Sequence, residues 1–205
     1  MSRRQEKAAL TRSQFIQATF QCLVECGYHG TTTVAVCERA QLARGTMLHH
    51  FPTKVTLVLA TLEEVLIRRV DDFRKELEGA NHDDLPGLVN HLWEALKGPT
   101  FSAWLELAVA SRTDAVLRNE FRRVMQRFEE LVSVTVDSIL PAKATGDMDP
   151  VLVVSLVFSS LNGLALDLLQ VDPAIVESKV KLLISWLEIV AANINTTAVA
   201  DESCE

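Results

Sequence analysis

The feature that most constrains the fold is a succession of long segments with apolar residues at helical spacing and few breaks between them. The 205 residues include eight glycines and six prolines. An all-β architecture needs turn residues more often than this, because each short strand ends in a turn. We therefore predict an all-α chain of about nine helices, each assigned from its apolar periodicity.

The composition is typical of an ordinary globular protein, with 48% hydrophobic and 23% charged residues. This balance excludes a wholly disordered or collagen-like chain. The residues that follow Met1 lack the apolar core of a secretory signal, so none is predicted. Four cysteines in a chain of this size indicate reduced thiols in a cytoplasm, because a disulfide framework is a feature of small secreted domains.

Charge is distributed unevenly along the chain. Residues 1–54 hold seven Lys and Arg against three Glu, a net charge of +4, whereas the remaining residues carry −11. A small basic module on a larger acidic body suggests a head that binds a polyanion and a body with another task. The acidic body also argues against a nonspecific architectural DNA binder, whose affinity comes from neutralising phosphates.

One segment, Val151 to Val171, is long and apolar enough to raise the question of a membrane span. It carries Asp167, and an aspartate costs about 2.5–3.5 kcal/mol at the centre of a bilayer. Serines and Asn162 interrupt it as well. We therefore predict a buried helix and no association with a membrane.

The basic part contains two short helical patterns behind a supporting helix. The supporting helix is predicted at about Leu10–Glu25, with Gly27 closing it. Threonines cap a short helix at about Val34–Ala40, and a three-residue connection leads to another at about Arg44–Phe51. This arrangement is typical of a helix-turn-helix, although a generic pair of short helices in a bundle would have the same pattern.

In a helix-turn-helix the second short helix lies in the major groove. Its inner face would hold Met47 and Phe51, which are four residues apart. Its outer face suits base contacts, because arginine pairs with guanine, glycine permits close approach, threonine offers a hydroxyl and a methyl, and histidine donates to base or phosphate. The predicted groove-facing residues are Arg44, Gly45, Thr46, Leu48 and His49.

The rest of the chain is predicted to be a helical body. A fourth helix, capped by Thr53, would run to about Glu78 and link the head, residues 1–54, to the body, residues 55–205. The polar tail from Asn195 is expected to fray. Further helices are predicted at about Leu85–Leu96, Phe101–Ala110, Asp114–Leu140, Val151–Leu169 and Ala174–Ile194.

The stretch from Phe15 to about Leu59 resembles the N-terminal domain of TetR-family transcriptional regulators. The resemblance rests on Gly27-Tyr28, Thr31-Thr32, Arg44-Gly45-Thr46, His50-Phe51-Pro52 and Lys54. The stretch Phe101–Asp114 is also similar to one found in a broad subgroup of these regulators. The resemblance implies a homodimer on a pseudo-palindromic double-stranded DNA operator, which represses transcription until a small-molecule effector releases it.

The resemblance also implies roles for particular residues. Thr32 and Thr33 would contact phosphates at the start of the second helix. His50 would also contact a phosphate, and so would Lys54 from the first turn of the fourth helix. The arm Arg3–Lys7 would either reach DNA or be a solvated tail.

Three residues depart from the family's pattern. Gln41 stands where glycine is usual, and Ala43 replaces the serine cap. Leu48 replaces a tyrosine, so that position can supply only apolar contact, for example to a thymine methyl.

The last two predicted helices are too apolar to leave a face in water, which supports a dimer interface there. Leu183 and Leu187 are candidates for that interface. An effector pocket would need an apolar lining with a few polar groups, although aromatic residues at helical spacing also occur in plain cores. The pocket candidates are His91, Trp93, Phe101, Trp104, Arg112 and Asn162.

The cysteines and the possibility of catalysis have simpler interpretations. Cys22 and Cys26 lie one turn apart and could ligate a soft metal with Cys37, but cysteine is also a common small core residue. We predict no metal and no cofactor. No catalytic constellation is recognisable, so the protein is not expected to be an enzyme. The alternative is an all-α ligand-binding protein or enzyme with a non-functional helix-turn-helix head.

Overall fold

A computed structural model describes residues 2–77, 85–139 and 148–202. Within these ranges the chain forms nine helices and no strand, which confirms the all-α prediction. The helices are α1 (Arg3–Gly30), α2 (Thr33–Ala40), α3 (Arg44–His50), α4 (Lys54–Leu77), α5 (Leu85–Leu96), α6 (Pro99–Ser111), α7 (Ala115–Ile139), α8 (Pro150–Asp167) and α9 (Pro173–Glu202).

The chain divides into two compact units. The first unit comprises Met1–Arg69 and Pro99–Glu129, and the second comprises Val70–Gly98 and Glu130–Glu205. These units do not follow the boundary predicted at residue 54, because α6 packs with α1 and the first part of α4. The functional division into a head of 54 residues and a body stays a prediction.

The first unit has two clusters of buried residues. One joins α1, α2, α3 and the start of α4, and in it the rings of Phe15 and Phe51 meet edge to face at 6.5 Å. Met47 is completely buried there, so the predicted inner face of α3 is confirmed. The other cluster joins α1, α4, α6 and α7 through Leu23, Leu62 and other apolar side chains. Helices α1 and α4 contribute to both clusters and so connect the helix-turn-helix to α6 and α7.

Helix α1 is longer than predicted at both ends. It begins at Arg3, because Ser2 caps it and the Gln5 side chain accepts from the Ser2 N–H in return. The predicted start at Leu10 was wrong because apolar periodicity does not detect a polar but well-capped helical turn. Gly27 lies inside the helix as a kink with φ 67°, and the helix continues to Gly30. The arm Arg3–Lys7 is thus part of a helix.

The second unit is built on α5, α8 and α9, which pack against one another. Trp93 of α5 is buried, and its indole N–H donates to Glu177 of α9 at 3.0 Å. Leu161 and Val176 are also fully buried. Helix α9 runs to Glu202, beyond the predicted end at residue 194, because the following residues include no glycine or proline to stop a helix.

The prediction that α8 is a buried helix was wrong for the single chain. Its apolar residues surround the helix, and 11% of the residues in its span are buried. Among the described residues it is the one helix long and apolar enough to cross a membrane, as judged by length and composition alone. On α9, Leu183 and Leu187 are half-buried, whereas the side chains left exposed at helical spacing are Leu182, Trp186 and Ile189.

Candidate nucleic-acid interface

Helix α2 begins with a hydroxyl cap. The Thr32 hydroxyl accepts from the backbone N–H of Ala35 at 3.1 Å, and Thr32 itself is exposed. Thr33 is the first helical residue and is half-buried. Both threonines therefore lie at the N-terminus of a helix, where unpaired backbone N–H groups favour an anion.

The turn between α2 and α3 is tight and left-handed. Gln41 has φ 54° and ψ 38°, and it is the one non-glycine residue with positive φ in the described part of the chain. The turn is closed by the N–H of Leu42, which donates to the Cys37 carbonyl at 3.1 Å. Gln41, which stands where glycine is usual in the family, is thus left-handed, at a cost of about 1–2 kcal/mol relative to glycine.

Helix α3 presents a short exposed face. Ala43 occupies its N-cap without a side-chain hydrogen bond, as predicted from the missing serine. Arg44, Gly45 and His49 are exposed, Thr46 is half-buried, and 44% of Leu48 is exposed. The predicted groove-facing side chains thus lie on or beside one solvent-facing surface.

Gly45 has no structural reason to be glycine. Its φ is not positive, and a Cβ built on it would meet nothing within 4 Å. Glycine in a helix costs roughly 0.5–1 kcal/mol relative to alanine. A position that the fold does not reserve for glycine is suited to close approach by another molecule.

Two predicted phosphate contacts lie at the end of α3 and the start of α4. His50 is half-buried between His49 and Phe51, with ring centroids 5.5 Å and 6.3 Å away. The Lys54 ammonium donates to the Tyr28 carbonyl at 2.5 Å and lies 4.0 Å from the centroid of the Tyr28 ring. Burial lowers the pKa of Lys54. Its side chain is therefore held in place by the protein itself.

Other cations of the head are engaged in ion pairs. Arg39 pairs with Glu25, and Arg12 pairs with Glu64 at 2.8 Å while lying 5.6 Å from the centroid of the Phe51 ring. These pairs are exposed, so each stabilises the fold only slightly. They fix the two arginines beside the helix-turn-helix and reduce the positive charge available there.

The predicted effector residues are divided between the two units. In the first unit, Phe101 is buried and stacked on Trp104 at 5.7 Å. Arg112 is exposed after the end of α6. The second unit holds the other three, of which His91 and Asn162 are half-buried and Trp93 packs in the core. The pocket stays a prediction.

The cysteines of α1 and α2 differ in exposure. Cys22 and Cys37 are buried, and burial raises the pKa of each thiol. Cys26 is exposed, so its interpretation as a small core residue was wrong. The described residues contain no group of three His, Cys, Asp or Glu side chains suited to a metal. Cys204 lies outside the described residues.

Sequence reasoning missed one contact of the head. Glu106 of α6 accepts from the backbone N–H of Tyr28 at 2.9 Å. The two residues are far apart in sequence, so no periodicity could pair them. A local signal did exist, since Gly27 marks a break in α1 just before Tyr28.

Comparison with known proteins extends these observations. Residues 15–61 match the family described as bacterial regulatory proteins, tetR family. The chain is 30% identical over 162 residues to the HTH-type transcriptional regulator CymR of Pseudomonas putida. The aligned residues cover 78% of this chain and 80% of that protein.

Two solved structures share the fold at lower identity. A regulator from Saccharomonospora viridis in complex with choline has a TM-score of 0.67 at 18% identity, covering 88% of this chain and 96% of that chain. The regulator FadR from Bacillus subtilis in complex with stearoyl-CoA has a TM-score of 0.61 at 16% identity, covering 84% and 97%. At such identities the likeness concerns the fold alone.

The fold and the helix-turn-helix define the class of this protein: it is a DNA-binding transcriptional regulator. Its relatives are regulators of transcription and not enzymes. With a match to the family's N-terminal domain and a relative 30% identical along most of its length, the chain belongs to the TetR family.

Proposed function

We propose that the protein is a cytoplasmic repressor that binds a pseudo-palindromic operator as a homodimer and is released by a small molecule. The observation that carries the proposal is the exposed face of α3, where Arg44, Leu48 and His49 surround a glycine that the fold does not require. A face with these groups fits the major groove, where arginine can pair with guanine and an apolar side chain can meet a thymine methyl.

The remaining contacts of the head would position it on the DNA backbone. Phosphate contacts carry little sequence information but fix the register of the recognition helix. Thr46 would add a hydroxyl and a methyl near the base edges. The proposed phosphate contacts are Thr32, Thr33, His50 and Lys54.

We expect Gly45→Ala to separate stability from DNA binding. The added methyl favours the helix, so the free energy of unfolding should rise by about 0.5–1 kcal/mol. The same methyl would push α3 away from the bases, and losing about 1–3 kcal/mol of base contact in each of the two half-sites should weaken operator binding roughly 30-fold or more. Thermal denaturation and fluorescence anisotropy measure the two effects, with a scrambled duplex as control. Unchanged operator affinity would mean that the α3 backbone does not approach DNA.

The dimer interface is proposed on α8 and α9, with a second copy of the chain as the occupant. Both helices leave large apolar side chains in water, which favours association. Gly163 of α8 is exposed, and a Cβ there would also meet nothing within 4 Å. Two symmetry-related pairs of helices would form a four-helix bundle and cover these surfaces.

A protein partner suits α8 better than lipid. Ser155, Ser159, Ser160, Asn162 and Asp167 interrupt its apolar surface, and small or polar side chains pack well against another helix. Asp167 pairs with Lys179 of α9 at 2.6 Å, a polar contact that a bilayer would disfavour. Together with membership of a family of transcriptional regulators, this supports a protein that does not span a membrane.

The effector is proposed to be a small molecule bound in the C-terminal helical part, near His91, Trp93, Phe101, Trp104, Arg112 or Asn162. The regulators from Saccharomonospora viridis and Bacillus subtilis were solved with choline and stearoyl-CoA, ligands of very different chemistry. Neither ligand is thereby assigned as the effector of this chain. An effector that prefers the DNA-free form must weaken operator binding by the same factor by which DNA weakens effector binding.

The proposed function is tested by selecting bound fragments from the source genome at two salt concentrations. A repressor dimer should enrich a motif with two-fold symmetry, and its affinity should fall steeply with salt because phosphates are neutralised. An all-α carrier or enzyme with a non-functional head should enrich nothing at either salt concentration. A nonspecific binder should retain DNA without enriching a motif.

A further inference from the structure

Near the end of α1, Gly27 adopts a backbone conformation that other residues rarely adopt. Gly27 has φ 67° and ψ −178°, a conformation that is essentially restricted to glycine. A Cβ on this residue would also lie 2.5 Å from the Glu106 carboxylate of α6. The backbone conformation therefore demands glycine here, and the Glu106 carboxylate lies directly against the kink.

The kink places both backbone groups of Tyr28 in contacts outside α1. The Tyr28 N–H donates to Glu106 Oε2 at 2.9 Å, and the Tyr28 carbonyl accepts from Lys54 Nζ at 2.5 Å. The ammonium of Lys54 also lies 4.0 Å from the Tyr28 ring centroid, within cation–π range. One residue thus links α6 to the first residue of α4.

Lys54 keeps hydrogen-bonding capacity in this arrangement. A lysine ammonium has three donors, of which the Tyr28 carbonyl takes one. The flexible side chain would otherwise occupy many rotamers, and ordering it costs conformational free energy each time it binds. Because contact with Tyr28 already orders the Lys54 side chain in the free protein, less conformational entropy is lost on binding, and the remaining donors stay available.

We propose that Glu106 is a positioning residue for DNA binding, which acts through Tyr28 to hold Lys54 ready for a phosphate at the start of α4. This inference rests on the proposed function of α3 and Lys54 in operator binding. It adds a residue of α6 that itself touches no DNA. We call Gly27, Tyr28, Lys54 and Glu106 together the junction.

Charge alone predicts the opposite effect for Glu106. The chain has a net charge of −7, so removing any exposed carboxylate should strengthen its attraction to DNA slightly. Loss of the junction should weaken operator binding instead. The sign of the change therefore separates positioning from simple electrostatics.

The variants are Glu106→Ala, Glu106→Gln and, as the matched control, Glu129→Ala on an exposed position of α7. Operator affinity is measured by fluorescence anisotropy at one fixed salt concentration, and folding is checked by thermal denaturation. Glu106→Ala should weaken operator binding roughly fivefold to tenfold, at the low end of coupling between linked sites. Glu106→Gln keeps an oxygen acceptor for the Tyr28 N–H and should bind like the wild type. Glu129→Ala should bind equally well or slightly more tightly.

A spectroscopic measurement follows the junction itself. Tyr28 is the one tyrosine of the sequence, so labelling with 3-fluorotyrosine gives a single fluorine resonance by NMR. In the free protein that resonance should move in Glu106→Ala and stay in place in Glu106→Gln. On addition of the selected duplex it should shift in the wild type, because Lys54 gains a phosphate partner.

The outcomes distinguish the inference from the function on which it rests. The positioning role is overturned if the wild type binds its selected duplex and Glu106→Ala binds it equally tightly. It is also overturned if Glu106→Gln loses as much operator affinity as Glu106→Ala. A fluorine resonance unmoved by both Glu106→Ala and DNA would overturn it as well. If the wild type enriches no DNA sequence, the proposed function itself fails.

Discussion

Replacing Leu182 and Trp186 with glutamate is expected to convert the dimer to monomers and to weaken operator binding by about 100-fold or more. These side chains are 71% and 64% exposed in the single chain, four residues apart on α9. Burying two carboxylates in an apolar helix bundle is unfavourable, so the bundle should not form. Two heads joined in one dimer gain about 10²–10⁴ in affinity over separate heads, and monomers lose that gain. Sedimentation and anisotropy measure the two effects.

A matched control is available in the first unit. Val109 and Val116 are 59% and 66% exposed, so their replacement by glutamate adds the same charge at similar exposure on helices other than α8 and α9. Because neither valine belongs to α3, α8 or α9, this control should remain dimeric and lose little operator affinity. A wild type that sediments as a monomer at micromolar concentration, or a glutamate variant of α9 that stays dimeric, would contradict the proposed interface.

Arg44→Ala is expected to cause the second large effect, a loss of sequence preference. A bidentate arginine–guanine pair is worth about 1–3 kcal/mol per half-site, so a dimer with two half-sites should lose roughly 30-fold or more on its selected operator. Binding to a scrambled duplex should change far less. Preference at one guanine position of each half-site should also relax. Anisotropy titrations on both duplexes at several salt concentrations measure these changes.

Arg39→Ala serves as the control for charge. Arg39 is held by Glu25, so its loss should affect both duplexes slightly and about equally. If Arg44→Ala also weakens both duplexes equally, Arg44 is a phosphate contact. If Arg44→Ala changes neither, α3 is not the helix that enters the groove.

The helix-turn-helix could be predicted from the sequence because its determinants are local. Met47 and Phe51 lie four residues apart and both point inward, as helical spacing predicts. Gln41 stands where the family usually has glycine, and it adopts the left-handed conformation that glycine favours. The resemblance to a known family then supplied the class of ligand, which spacing alone left open.

Contacts between distant parts of the chain could not be predicted in this way. Glu106 reaches Tyr28 across a sequence separation of 78 residues, and only the folded chain brings them together. Exposure of Cys26 likewise depends on which side chains cover the end of α1, and only the folded chain shows this.

The last two helices show a different limit of sequence reasoning. Apolar residues surround α8 and much of α9, so periodicity does not indicate which face packs within the chain. Leu183 and Leu187 were chosen for the interface by spacing alone, and the structure instead leaves Leu182 and Trp186 exposed. On α8 the buried side includes Val157 and Leu161, and only the fold reveals this.

The most direct test of sequence-specific operator binding is the ratio of wild-type affinities for the selected operator and for a scrambled duplex of the same composition, measured at physiological salt. Specific regulators typically bind their sites about 10³-fold or more tightly than other DNA. We predict a ratio of that order, with two protomers bound per operator. Equal affinity for the two duplexes would contradict the proposed function.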